Sequence, residues 1–230
     1  MINPIIIIPD YKVEKTEQEQ KCLMSLLPLL NAGIDCTTVI PKSLEGSSGG
    51  DESVFADYYF QSIITYSQLM ESSHFWEDFL DYSHALIFQP DCFLLGDTRE
   101  LEFWCKLNFF FVGAPHFKDY NYEKNPHELQ NTFNGGFSLR NIKQHYDICK
   151  ELERQGFDHK KCQAHEDTFW VQMAQKFNIG LPDPRTAARF SWEQGGIALE
   201  YLCEGEKPFG LHAPFKYLEQ HPDWLIKTLS

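Results

Sequence analysis

The stretch Pro4-Ile5-Ile6-Ile7-Ile8-Pro9-Asp10 reads as a strand and its stop. Four β-branched residues in a row suit a strand buried on both faces of a parallel sheet, since a half-exposed strand would alternate apolar with polar residues. Pro9 removes a backbone donor and Asp10 favours a turn, so the run ends there. Next, Thr16 and Glu19 have the spacing of a capping box, and Leu23, Leu26, Leu27 and Leu30 form an apolar stripe that Gly33 would stop, with a kink expected at Pro28. Residues 34–40 read as a second strand. Strand, helix and strand make the opening right-handed crossover unit of an α/β sheet.

Working outward, residues 43–51 are rich in Ser and Gly and read as a loop, and helical spacing of apolar residues follows over 56–71 and 74–81. A short apolar strand over 85–88 then runs into Gln89-Pro90-Asp91, which puts Asp91 just past a strand's carboxyl end. Ligands of open α/β sheets bind at that edge, where loops and helix N-termini converge. Residues 109–112 are a further strand candidate, 132–139 contain a glycine pair, 142–155 reads as a helix stopped by Gly156, and another helix should start near Glu166 and run to about Phe177. No internal repeat or low-complexity linker interrupts the chain. A length of 230 residues fits one domain, 1–230.

The formal charge of −13 argues against nucleic acid and anionic lipid as partners, because both are held by clustered Lys and Arg. Seven scattered cysteines without a C-x-x-C pair read as reduced thiols, and the apolar run near the N-terminus has no basic leader and falls well short of the ~20 residues that span a bilayer. A cytoplasmic protein with no integral membrane segment is the expectation.

Four constellations could carry chemistry. Asp91 offers the carboxylate oxygens that a hard cation such as Mn or Mg needs when it bridges a diphosphate, or else Pro90-Asp91 simply starts a turn. Asn134-Gly135-Gly136 lets backbone approach a sugar or phosphate closely, or else forms a hairpin turn or bulge; Arg140 places a cation a few residues away. Glu166 and Asp167 open a helix, where free N–H groups favour acids in any case, and one of them could act as a general base. His212 could ligate a metal or sit half-buried among aromatics. The chain has no H-E-x-x-H, G-x-S-x-G, Walker loop or G-x-G-x-x-G, which argues against zinc hydrolases, serine hydrolases, P-loop enzymes and dinucleotide oxidoreductases.

Taken in order, IIIIPDYK, ITYSQLMESSHFWEDFLDYSHALIFQPDCFLL, FFFVGAPHF, NGGFSLR, HEDTFW, ARFSWE and PFGLHAPF resemble a family of uncharacterised glycosyltransferase-like domains of the glycosyltransferase A fold. The resemblance implies a Rossmann-like, mostly parallel sheet flanked by helices, with a nucleotide-binding half over about 1–97 and a mixed acceptor half over about 98–230. It further implies transfer of a sugar from a nucleotide-sugar donor, UDP-sugars favoured, to a glycan or other hydroxyl acceptor. On that resemblance Asp91 and His212 hold the metal, Pro9, Asp10 and Tyr11 hold the nucleotide, and Gly135, Gly136 and Arg140 line donor and acceptor. Asp167, with Glu166 as second choice, becomes the base of an inverting transfer. One departure stands out: neither Gln89 nor Phe93 is acidic, so Asp91 has no partner in an Asp-x-Asp. The competing readings are a non-catalytic carbohydrate- or nucleotide-binding protein on the same fold and a metal-dependent phosphoesterase, the latter poorly served by so few clustered carboxylates and histidines.

Overall fold

In the computed structural model, which describes residues 2–230, Ile5, Ile6 and Ile7 are buried because their strand, β1 (Pro4–Pro9), has a neighbour on each side. On one side run β2 (Asp35–Pro41) and β3 (Glu52–Phe55), on the other β4 (His84–Phe88), all parallel to it. The sheet continues through β7 (Leu129–Asn141) to β6 (Phe111–Phe117), giving the order β3-β2-β1-β4-β7-β6. Because β7 is antiparallel to both its neighbours, it alone opposes the direction of the other five strands. The result is an α/β fold with a mostly parallel central sheet.

Between β1 and β2 lie α1 (Glu17–Met24) and α2 (Leu27–Asn31). Thr16 and Glu19 form the expected reciprocal capping box, and Gly33 takes the expected left-handed backbone at φ +82°. The single kinked helix is corrected to two, because Pro28 serves as a start residue for α2, where its missing N–H costs nothing. The helix expected over 56–71 likewise begins late, as α3 (Ile63–Met70), capped by Ser62; α4 (Ser73–Glu77) follows it. After β4 come β5 (Cys92–Leu94) and α5 (Thr98–Leu107), and after β7 come α6 (Ile142–Arg154) and α7 (Glu166–Lys176). The last quarter holds α8 (Pro184–Phe190), β8 (Ser191–Trp192), α9 (Gly196–Leu202), β9 (Gly210–His212) and α10 (Asp223–Leu229).

A second, three-stranded sheet in the order β5-β9-β8 joins the middle of the chain to its last quarter and pairs Cys92 with His212. Its own apolar cluster includes Trp192, Leu199, Leu211 and Leu225, while the main cluster spans both faces of the large sheet from Ile5 to Phe209. Each fully buried Ile, Leu or Phe there is worth about 1.5–3 kcal/mol of burial. Asn134, Gly135 and Gly136 form no hairpin turn. They lie inside β7 where its register against β6 jumps, Gly113 facing Ser138 but Pro115 facing Phe133, so the bulge reading is the right one. Among the described residues no helix is long and apolar enough to cross a membrane, and all seven cysteines are unpaired.

Candidate active site

Chain order and strand order part company between β1 and β4: after β1 the chain goes outward to β2 and β3, then returns to β1's other flank. The connections leaving β1 and β4 therefore diverge, opening a crevice at their carboxyl ends, the usual ligand position in such sheets. A cleft of about 440 Å³ lies there, within the ~300–1,000 Å³ range of small-molecule sites. Pro9, Asp10, Tyr11 and Lys12 from the end of β1 form one wall, Gln89, Pro90 and Asp91 from the end of β4 the other, and the start of α3 closes it through Ser62, Ile63 and Tyr66. Two ion pairs brace the first wall: Lys15 with Asp10 and Lys12 with Glu19, both at 2.7 Å.

Asp91 stands at the far rim with its side chain half exposed, and a smaller pocket of about 250 Å³ opens on its other side, sharing Asp91 and Glu19 with the first. β5 and β9 bring His212 to it, Nε2 lying 3.7 Å from Asp91 Oδ1. His212 Nδ1 is 3.2 Å from Glu193 Oε1, and Nε2 is 3.2 Å from Gln89 Oε1. Burial opposes charge on the ring, but the Glu193 carboxylate outweighs it, with help from Asp91, and lifts His212 above its ordinary value. Reciprocally, burial would raise Glu193, yet its contact with His212 keeps the carboxyl below the usual range. Gly136 makes this possible: a Cβ there would stand 2.4 Å from His212 Cδ2 and Nε2.

Asp91, Cys92 and His212 offer ligand atoms within 4.8 Å of one another. The thiol does not fit a hard cation, since Cys92 is fully buried, donates to Gly136 O at 3.1 Å, and burial holds it well above the usual thiol range. Asp91 and His212 do fit. Magnesium and manganese are commonly bound by few protein groups plus substrate phosphate, and a carboxylate behind the distal nitrogen, here Glu193, orients a ligating imidazole.

Arg140 and Glu166 are corrected. The guanidinium is wholly buried, Nη2 to Glu166 Oε1 at 2.8 Å and Nη1 to Oε2 at 2.5 Å, with Nε on Ser138 Oγ at 3.0 Å and the carbon centre 4.5 Å from the Phe111 ring. The two charges occupy each other, so neither reaches the cleft to line donor and acceptor or to act as general base. Burial raises the Glu166 carboxyl despite that partner. Gly135 serves this pair, because a Cβ on it would come 2.0 Å from Glu166 Oε1. Both glycines of β7 are thus packed against protein side chains, and the close approach they permit is internal.

Asp167, the next residue, is half-buried in the first turn of α7, its Oδ1 accepting from Thr168 N at 2.5 Å. Its negative charge and that of Glu193 act on His116 at the end of β6, whose ring touches Thr132 Oγ1 at 3.1 Å; burial nevertheless lowers His116 below the ordinary imidazole value. Asp91, Asp167, Glu193, His116 and His212 accordingly share the carboxyl edge of the sheet.

The DUF5672 family, described as a protein of unknown function, matches residues 51–212. The chain belongs to that family. The matched span holds Asp91, His116, Asp167, Glu193 and His212 and leaves out the wall formed by Pro9, Asp10, Tyr11 and Lys12. No curated protein matches the chain. Among solved structures, one similar chain is core-mannan synthase A (CmsA/Ktr4) from Aspergillus fumigatus in its Mn/GDP form, at a TM-score of 0.47 and 10% identity, covering 76% of this chain and 70% of that one.

Glu193, His116 and Gln89 escaped the sequence reading. Gln89 and Glu193 carry no spacing signal, being 104 residues apart, and meet only because β9 lies between β5 and β8. For Glu193 the available hint was an acid directly after the apolar Phe190-Ser191-Trp192 run, the same strand-then-acid pattern that marked Asp91.

Proposed function

We propose that the chain is a glycosyltransferase that takes a nucleotide-sugar donor in the cleft between β1 and β4 and passes the sugar to an acceptor hydroxyl. The observation that carries this reading is the placement of a 440 Å³ cleft at the topological switch point with Asp91 on its rim. Tyr11 and Phe60 offer aromatic faces to a base, Asp10 offers a carboxylate to ribose or base, and Asp91 with His212 marks where the diphosphate would lie. A divalent ion, Mn or Mg, held by Asp91 and His212 would supply charge neutralisation to that diphosphate. Protonated, the His212 ring can donate to both Glu193 and Gln89; an ion beside Asp91 would take the place of the Nε2 proton while Nδ1 keeps Glu193.

Asp167 is the proposed base. Its Oδ1 accepts from Thr168 N in the first turn of α7, which leaves the second carboxylate oxygen to take a proton. The acceptor oxygen forms a bond to the anomeric carbon, its proton passes to Asp167, and the bond from that carbon to the β-phosphate oxygen breaks with its electron pair leaving on the diphosphate. Attack from the face opposite the leaving group inverts the anomeric centre.

The test is calorimetric titration with UDP, GDP and their sugar conjugates, each with and without manganese, followed by assay of donor hydrolysis. Binding that needs the diphosphate and weakens in Asp91→Asn by about 1.5–3 kcal/mol, the worth of a charge-assisted contact, supports the reading. A wild-type chain that binds none of these ligands sinks it. Binding without any turnover, even with a panel of acceptors, would favour the non-catalytic alternative.

A further inference from the structure

We propose that Lys216 is the cation that receives the donor's diphosphate, the role that Arg140, buried on Glu166, cannot fill. The inference deepens the reading above and rests on it. Lys216 lines the 250 Å³ pocket on the far side of Asp91, together with Thr16, Gln18, Glu19, Cys22, Ala213 and Phe215. That pocket and the larger cleft meet at Asp91 and Glu19, so a ligand extending from the β1 wall past Asp91 arrives at Lys216.

The fold fixes this position through the backbone. Ala213 N donates to Asp91 O at 3.1 Å, directly beyond the Cys92 to His212 pairing, and Lys216 N donates to Ala213 O at 3.0 Å. Ala213 holds a left-handed φ of +46°, a conformation unfavourable for a non-glycine residue that persists only where neighbours impose it. The turn carrying Lys216 is therefore strapped to the residue that would face the metal.

Charge accounting singles out the same side chain. Lys12 is paired with Glu19 and Lys15 with Asp10 along the β1 wall. Lys216 has no carboxylate within ion-pair distance among the described residues; its Nζ lies 4.9 Å from the centre of the Tyr217 ring, and the Glu193 and Asp91 charges act on it from farther off. In a chain of net charge −13, a diphosphate entering beside Asp91 would meet repulsion from it, and an unpaired ammonium in the same pocket is the available counterweight. The inferred ligand group is a diphosphate, whatever nucleoside and sugar it joins.

Inorganic pyrophosphate tests this without knowledge of base or sugar. Its affinity is measured by calorimetry for wild type, Lys216→Met, Lys216→Arg and Lys143→Met, in chelator and again with magnesium. Lys143, an exposed lysine on α6 paired with Asp147, serves as the control for bulk charge. Lys216→Met should bind roughly tenfold to a hundredfold more weakly, Lys216→Arg should retain most of the affinity, and Lys143→Met should match wild type. Lys216 is exposed, so unfolding midpoints should coincide across the set. Wild-type affinity in Lys216→Met, an equal loss in Lys143→Met, or no pyrophosphate binding by wild type would overturn the assignment. A Lys216-dependent site in a chain that turns over no nucleotide sugar would instead refute glycosyl transfer and leave the diphosphate site standing. A working transferase whose pyrophosphate affinity ignores Lys216 would do the reverse.

Discussion

Gly136 holds His212 in place by having no side chain. In Gly136→Ala the new methyl would need space now filled by the His212 ring and by Gln89 Oε1, 2.7 Å away, and overpacking of that kind costs about 1–3 kcal/mol. The expected outcome is a lower denaturant midpoint together with loss of any manganese-dependent rise in stability, both read from the same melts; an unchanged metal response would remove His212 from the metal site. Arg140→Met should be harsher, about 3–5 kcal/mol, because it strands the buried Glu166 charge, whereas Arg140→Met with Glu166→Gln should recover much of the loss. At the chemical step, Asp167→Asn should slow single-turnover transfer by about a hundredfold to ten-thousandfold with donor affinity nearly unchanged, and a retained anomeric configuration in the product would end the base assignment. Residues of this kind were legible one at a time. Asp91 stood out by type and by position after a strand and His212 by type alone, but whether Arg140 faces ligand or core depended on Glu166, 26 residues later, and no local pattern encodes that choice.

The elements were most legible where their ends carry side-chain chemistry. Thr16 and Glu19 announced the start of α1, and Thr16→Ala should cost about 0.5–2 kcal/mol in urea melts, with Glu19 and Lys12 left less ordered at the mouth of the cleft. A loss below the error of the melts would mean that packing against β5, and not the cap, fixes this helix. Strand direction was not legible. Apolar runs such as Phe111-Val112 or Phe137-Ser138-Leu139 reveal burial but not polarity along the sheet, and the link between β6 and β7 carries no two-residue hairpin signature. The stretch that forms β7 showed only its glycine pair in the sequence, and it is a reversed strand whose bulge holds the two packed glycines.

At the scale of the whole molecule, buried titratable groups set limits on stability from both sides of neutrality. Glu71 is buried, and burial pushes its carboxyl up to about 8 from an ordinary 4.5, outweighing the neighbouring Cys162 thiol. The folded chain holds that proton more tightly than the unfolded chain, so the stabilisation is full below about pH 4.5 and is lost as pH rises through 8. His221 works the other way. Burial lowers it to about 4 from 6.5, so its contribution is present above pH 6.5 and disappears as pH falls through 4. Unfolding midpoints should fall between about pH 6.5 and 8 in wild type and much less in Glu71→Gln, which keeps the neutral form at every pH; parallel curves for the two would dismiss Glu71 as the source. The reversed strand has a consequence at this scale too. One edge of β4, a strand buried at every position, is covered only by β7, which is made some forty residues later in the chain. A gene fragment encoding residues 1–97 alone would display that edge as a row of open N–H and C=O groups on an apolar ribbon, the usual template for aggregation. The stretch 1–97 is thus not a portable cassette: recombination that grafts it onto another chain must carry a β7 with it.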